Sequence, residues 1–385
     1  MNKQIVTQYT RVALLDNLLR RDYLPAREFI YTVISEPLRI GSGLNLPDTR
    51  DFPANRGLEE GFSEKAFFDQ CGEVDWIKAY RSIPSAAADY LAGYLSHEVL
   101  VIGYEMPPWL ISLLLQSRTG FINIRISPIR FARDLYVTLC SNLEGFPRTL
   151  EKWRVPEDEL HLEAGLLRAS VRHNTPHRQR FSLERGFLFV GQTSADASLI
   201  DDAGQLLRVS QLADSIRDIT GDAPVFYKPH PYDRRFAKNE HNELQKLLGR
   251  RVTKISENIY NLLASRHQFD VLAISSGVTQ EAPYFGRGGI ALFRPVSSIG
   301  MPGSDTLHLH FADLIAPELW ASLLGIDRKD DSYARLPAIP ESMMRRLHNS
   351  WWGYSEYVLD NDRFWRQVLI RGLRNILLKA VDRYF

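Results

Sequence analysis

Between residues 186 and 293, short apolar runs alternate with amphipathic stretches. Gly186–Gly191, Val225–Lys228, Val252–Ile255, Asp270–Ile274 and Gly289–Phe293 are apolar runs flanked by turn residues, the pattern of strands buried on both faces. Leu206–Ile219, Phe236–Leu248, Ile259–Ala264 and Thr279–Phe285 carry helical spacing. That order predicts a parallel sheet covered by helices on both sides. The first half is less regular: Glu28–Ile34, Val99–Tyr104 and Phe121–Ile126 read as strands, with helical stretches between them. Residues 350–385 read as helical, with Trp351, Trp352, Trp365, Leu369, Leu373, Ile376 and Leu377 interleaved with arginines and lysine. The predicted class is α/β, with two Rossmann-like domains at 1–175 and 176–345. Polar Ser170–Arg180 is the linker, and helices at 346–385 pack back across the domains. The basic amphipathic face of those helices would also suit peripheral contact with an anionic membrane.

Length fits two domains, since 385 residues exceed one ordinary core. Hydrophobic residues at 44% and charged residues at 24% match a soluble globular protein. A net charge of +1 gives no global field to recruit nucleic acid. Cys71 and Cys140 make neither a disulfide framework nor a metal cluster, which fits a reducing cytoplasm. Met1–Arg20 shows no signal-peptide pattern, and the apolar window Val99–Leu115 is broken by Glu105 and Pro107–Pro108. The expected location is cytoplasmic, at most at the inner face of the inner membrane.

Three segments follow predicted parallel strands, at the edge where open α/β sheets bind ligands. Gln192–Asp196 follows the first. Lys228-Pro229-His230-Pro231 follows the second, its prolines stiffening a turn that carries a cation beside an imidazole. Ser275-Ser276-Gly277 follows the fourth and opens the helix bearing Gln280 and Glu281, both candidate donor-binding residues; its hydroxyls and free N–H groups suit an anion, or the serines serve as a plain N-cap. Lys228, His230 and the two serines together suit a phosphate. Asp196 reads either as a turn or N-cap aspartate or as a carboxylate facing a reacting carbon, with Gln192 positioning it or binding the sugar. In the first half, Glu105 at a proline-fixed strand end reads either as an exposed strand-end glutamate or as a candidate general acid/base, with Trp109 as a candidate sugar platform. Arg130 and Arg133 could receive a carboxylate, or pair with Asp134. No Gly-x-Gly-x-x-Gly, Walker or Asp-x-Asp sequence occurs, so no cofactor and no metal are expected.

These segments, in this order, resemble the bacterial transferases that use CMP-activated acidic sugars. Most similar are the retaining β-Kdo transferases of lipopolysaccharide O-antigen and capsule assembly. The likeness covers residues 186–295 and includes Ser127–Phe131. It implies a GT-B-like fold, with Asp196 as nucleophile and His230, Ser275 and Ser276 on the CMP phosphate. CMP-Kdo would be the donor and a glycan or glycolipid the acceptor, held by the first domain. Two inversions at Asp196 would then give retention. An inverting, sialyltransferase-like enzyme remains open, as does a non-catalytic nucleotide- or glycan-binding subunit of a polysaccharide assembly complex.

Overall fold

Two five-stranded sheets organise the described residues. The computed structural model describes residues 8–20, 24–48, 56–58, 60–174, 185–295, 307–326 and 342–352.

The first sheet comprises β1 (Arg11–Leu14), β2 (Val99–Tyr104), β3 (Gly120–Ile126), β4 (Tyr136–Ser141) and, far downstream, β10 (Leu309–His310), in that spatial order. β1, β2 and β3 run parallel, while β4 and β10 are antiparallel to their neighbours. Around it lie α1 (Leu24–Ser42), α2 (Glu64–Cys71), α3 (Ser85–Ala92), α4 (Pro108–Gln116) and α5 (Phe146–Glu151). The expected strand at Glu28–Ile34 is about two turns of α1 instead. Its β-branched residues carry strand propensity, but Ile30, Ile34 and Leu38 recur at helical spacing and are buried. They share a core with Leu314, Leu319 and Trp320. Gly41 permits this packing, since a Cβ there would lie 2.2 Å from Pro317 O.

The second sheet is all parallel, in the order β7 (Thr253–Lys254), β6 (Val225–Lys228), β5 (Gly186–Val190), β8 (Phe269–Ala273), β9 (Gly289–Ala291). Its helices are α7 (Ala213–Thr220), α8 (Arg234–Leu248), α9 (Ile259–Ala264) and α10 (Val278–Glu281), with 3-10 turns at Val209–Leu212 and Ala282–Phe285. Each predicted strand and helix of this half is present, Val225–Lys228 and Ile259–Ala264 with the expected ends and the others with shifted ends. The order reverses between β5 and β8, and such a switch point opens a crevice at the strands' C-terminal ends.

The halves interlock. α6 (Glu157–Asn174) belongs to the first half in sequence, yet Leu160, Ala164, Leu167 and Val171 share a core with Leu188, Val190 and Val271 of the second sheet. In the other direction the chain returns to the first sheet at β10, then α11 (Pro317–Leu323) and α12 (Met343–Trp352), well ahead of residue 346 where the return was expected. Apolar Leu309, Phe311 and Trp320 join the first sheet's core, and their burial there favours the return. Of the expected linker, Ser170–Asn174 ends α6 and the rest lies outside the described residues. Residues 353–385, with the basic amphipathic face, also lie outside them. Among the described residues no helix is long and apolar enough to cross a membrane.

Candidate functional site

The switch point is tied together by one side chain. Gln192, just past β5 and buried, accepts the N–H of Ser275 at 2.8 Å through Oε1. Its Nε2 donates to Asp196 Oδ2 at 2.8 Å and to Ser198 Oγ at 2.9 Å. Asp196 Oδ1 receives the Ser198 N–H at 3.0 Å and the Ser198 hydroxyl at 2.7 Å. Asp196 is therefore the N-cap of a 3-10 turn, Ala197–Leu199, and both its oxygens are fixed. This is the cap conformation open to it in the sequence, with the carboxylate half-buried at the sheet edge. Ser198 went unnoticed in the sequence; its spacing from Asp196, the Asx-turn spacing, was the available signal.

Beside β5, the end of β6 carries Lys228 and His230, both half-buried. Burial lowers the Lys228 ammonium to about 8, partly offset by Glu257. Burial likewise lowers His230 to about 4, against the opposing pull of Asp196, so the imidazole is neutral at physiological pH. His230 Nδ1 accepts the Tyr232 N–H at 3.3 Å. The neutral ring's proton therefore sits on Nε2, which makes that nitrogen a donor. Asp233 locks the loops together: it accepts from the Ser194 hydroxyl at 2.6 Å and caps α8 through the Phe236 N–H at 3.0 Å.

The third segment departs from expectation. Ser275 is fully buried and its hydroxyl donates to Arg294 O, so its contribution to the site is its backbone. Ser276 is half-buried and its hydroxyl accepts the Val278 N–H at 3.4 Å. α10 has only four residues before it tightens into a 3-10 turn, too short to build the dipole that an anion site at a helix end requires. Gln280 lies on α10, its N–H bonded to Gly277 O at 2.9 Å. Glu281 is buried away from solvent and accepts the Arg130 N–H at 2.7 Å and the Tyr260 hydroxyl at 3.1 Å. It joins the two halves, which corrects its reading as a donor ligand. Burial raises its carboxyl to about 7.

Arg130 and Arg133 both bond within the protein. Arg130 Nε donates to Ser127 O at 2.8 Å, and Arg133 pairs with Glu163 at 2.8 Å. Asp134 accepts the Arg345 N–H at 2.8 Å and so holds the start of α12, while Arg345 Nη2 donates to Arg130 O and Ala132 O at 2.9 and 2.8 Å. Trp109 is buried, stacked on Phe67 at 6.1 Å, because Pro107–Pro108 start α4 with that ring facing inward; it is no sugar platform.

Glu105 is half-buried with φ 50, a left-handed conformation that costs a glutamate energy. Its N–H bonds to Ile124 O at 2.9 Å. It lies in a polar group around buried Tyr80. Burial raises that phenol, Arg125 opposes the shift, and Glu105, Arg81 and Arg20 act on it in turn. Arg20 lies over Trp76 at 4.6 Å and donates to Ala195 O at 2.8 Å, so this group adjoins the Asp196 loop. Sequence reading missed Tyr80, which ends a 3-10 turn, and Arg20, Arg81 and Arg294, which stand in loops; none of them carries periodicity or a motif.

No family model and no curated protein matches the chain. Among solved structures, Thermosulfurimonas dismutans KpsC, a β-Kdo 2,7 transferase, aligns at 15% identity with a TM-score of 0.31, over 59% of this chain and 76% of that one. A likeness at that score carries no conclusion about residues.

Proposed function

We propose that this chain is a GT-B-like glycosyltransferase that moves Kdo from CMP-Kdo to a glycan acceptor with retention. The observation that carries the reading is the Gln192 bridge: one amide links Asp196 to the Ser275 backbone across the switch point, beside Lys228 and His230. A preorganised carboxylate next to fixed donors suits attack on a sugar whose leaving group is a phosphate.

Asp196 attacks the anomeric carbon. The bond from that carbon to the phosphate oxygen breaks, and its electron pair leaves with CMP. Lys228 and Nε2–H of His230 stabilise the departing phosphate. The acceptor hydroxyl, losing its proton to Glu105, then displaces Asp196 and restores the configuration. The first half, with the Tyr80–Arg125–Glu105 group, holds the acceptor.

Incubation with CMP-Kdo and a slow acceptor tests this. The intact protein should gain the mass of one Kdo residue, mapped by peptide sequencing to Asp196, and the product should be β-linked. An α-linked product without an adduct would favour the inverting mechanism, for which Asp196, held by three hydrogen bonds, serves as a positioning cap. CMP binding without turnover would favour the non-catalytic subunit.

A further inference from the structure

One carboxylate oxygen stands between two arginines from opposite halves of the chain. Arg81 follows the 3-10 turn Lys78–Tyr80 in the first half, and its Nη2 lies 2.9 Å from Asp202 Oδ1. Arg294, downstream of β9, reaches the same oxygen with its own Nη2 at 3.0 Å. The two arginine side chains are each 21% exposed and Asp202 is 79% exposed. An ordinary surface ion pair joins two mobile ends. Here the cations are set into the protein and the anion hangs in solvent.

The arginines are anchored independently of Asp202. Arg81 Nε donates to Asp201 O at 3.3 Å. The Arg294 guanidinium lies over Phe293 at 4.0 Å, and its carbonyl accepts the Ser275 hydroxyl. Asp202, by contrast, is dispensable to its own turn. Asp201 Oδ1 shapes that turn by accepting the N–H groups of Ala203 and Gln205 at 2.9 and 2.8 Å. Gly204, at φ +72, presses the turn onto the first half, where a Cβ would come within 2.8 Å of Lys78 O. The like charges of Arg81 and Arg294 repel, and burial followed by Arg294 lowers the Arg81 guanidinium.

We infer that Arg81 and Arg294 form a carboxylate site for the acidic sugar of the donor, and that the Asp202 side chain stands in for that ligand in this structure. The assignment rests on the donor reading above. The internal occupant is itself a carboxylate, and it shares one oxygen between two guanidiniums. A ligand carboxylate could offer each its own oxygen and displace the exposed side chain. The site is also connected to the expected reaction centre: Arg294 O holds Ser275, Ser275 N–H holds Gln192, and Gln192 holds Asp196. A neutral sugar has nothing to place between the arginines.

Calorimetry on the full chain with CMP, free Kdo and the methyl ester of Kdo tests this. Wild type should bind the free acid and not the ester. Arg81→Gln and Arg294→Gln should each weaken free Kdo by roughly 10–100-fold, the worth of a charge-assisted hydrogen bond, and leave CMP affinity within about twofold. Asp202→Asn should tighten free Kdo, because the built-in competitor loses its charge. Unchanged melting temperatures establish that the variants are folded. Equal binding of acid and ester, loss of CMP affinity in the arginine variants, or weaker Kdo binding by Asp202→Asn would each overturn the site. Acid-over-ester discrimination without CMP binding would instead sink the nucleotide reading and leave the arginine site standing.

Discussion

Asp196 holds two roles at the residue scale, as cap and as proposed nucleophile, and the surrounding bonds separate them. Asp196→Ala removes an N-cap and should cost about 1 kcal/mol in urea unfolding, more than a free loop carboxylate would. Asn caps a turn as well as Asp does, but its NH2 would face the Gln192 NH2. Gln192 cannot turn over without abandoning the Ser275 N–H. Asp196→Asn should therefore cost about 1–2 kcal/mol, retain CMP binding and abolish transfer. Active Asp196→Asn removes the nucleophile.

Lys228 sets the pH behaviour of the proposed phosphate contact. Its ammonium titrates near 8 in the free protein, and only the protonated form attracts a phosphate. CMP affinity should stay level below that pH and fall by about tenfold per unit above it, until the higher pKa of the bound state is reached. Lys228→Met should bind CMP weakly and without this step. Isothermal titration between neutral and alkaline pH reads both. His230, neutral across that range, should lose about 1.5–3 kcal/mol of CMP binding as His230→Ala. His230→Gln, which retains an N–H donor, should recover part of it.

At the scale of elements, α1 and α11 meet through a missing side chain. A Cβ at Gly41 would also sit 2.8 Å from Trp320 Cβ. Overpacking such a contact costs about 1–3 kcal/mol, so Gly41→Val should lower stability by at least that much, whereas an exposed helical glycine would gain from the change. Trp320→Ala should cost about 3–5 kcal/mol, since the ring is fully buried and its indole N–H donates to Leu314 O at 2.8 Å. A neutral or stabilising Gly41→Val would show that the helices do not pack at this distance.

The whole molecule is joined at Glu281, whose carboxyl accepts from Arg130 in the first half and Tyr260 in the second. Its folded-state pKa, about 7, lies above the ordinary carboxyl value. Its stabilising contribution is thus full at acid pH and is lost as pH rises through about 7, where folding must bury a charge. Glu281→Gln keeps a carbonyl acceptor and has no proton to lose. Between about pH 5 and 8, wild type should lose roughly 1–3 kcal/mol more stability than Glu281→Gln. Parallel unfolding curves for the two proteins across that range would place the titration elsewhere.

The second sheet was legible in the sequence because parallel strands buried on both faces leave continuous apolar runs, and Val225–Lys228 or Asp270–Ile274 can be little else. The positions of Asp196, Lys228, His230 and Ser275 followed from it, since a parallel sheet sends every such loop to one edge. The first half gave less away. β1 and β4 were missed, and Glu28–Ile34 suits strand and helix alike until Gly41, Pro317 and Trp320 supply a helical partner. Tertiary structure alone decided which polar residues were consumed by the fold. Glu281, Arg130, Arg133 and Trp109 all looked available to a ligand, but the first three bond within the protein, to partners up to 215 positions away in sequence, and Trp109 packs on Phe67 in the core. The same long-range pairing brought Arg81 and Arg294 onto one oxygen, from segments whose local sequence carries no sign of each other.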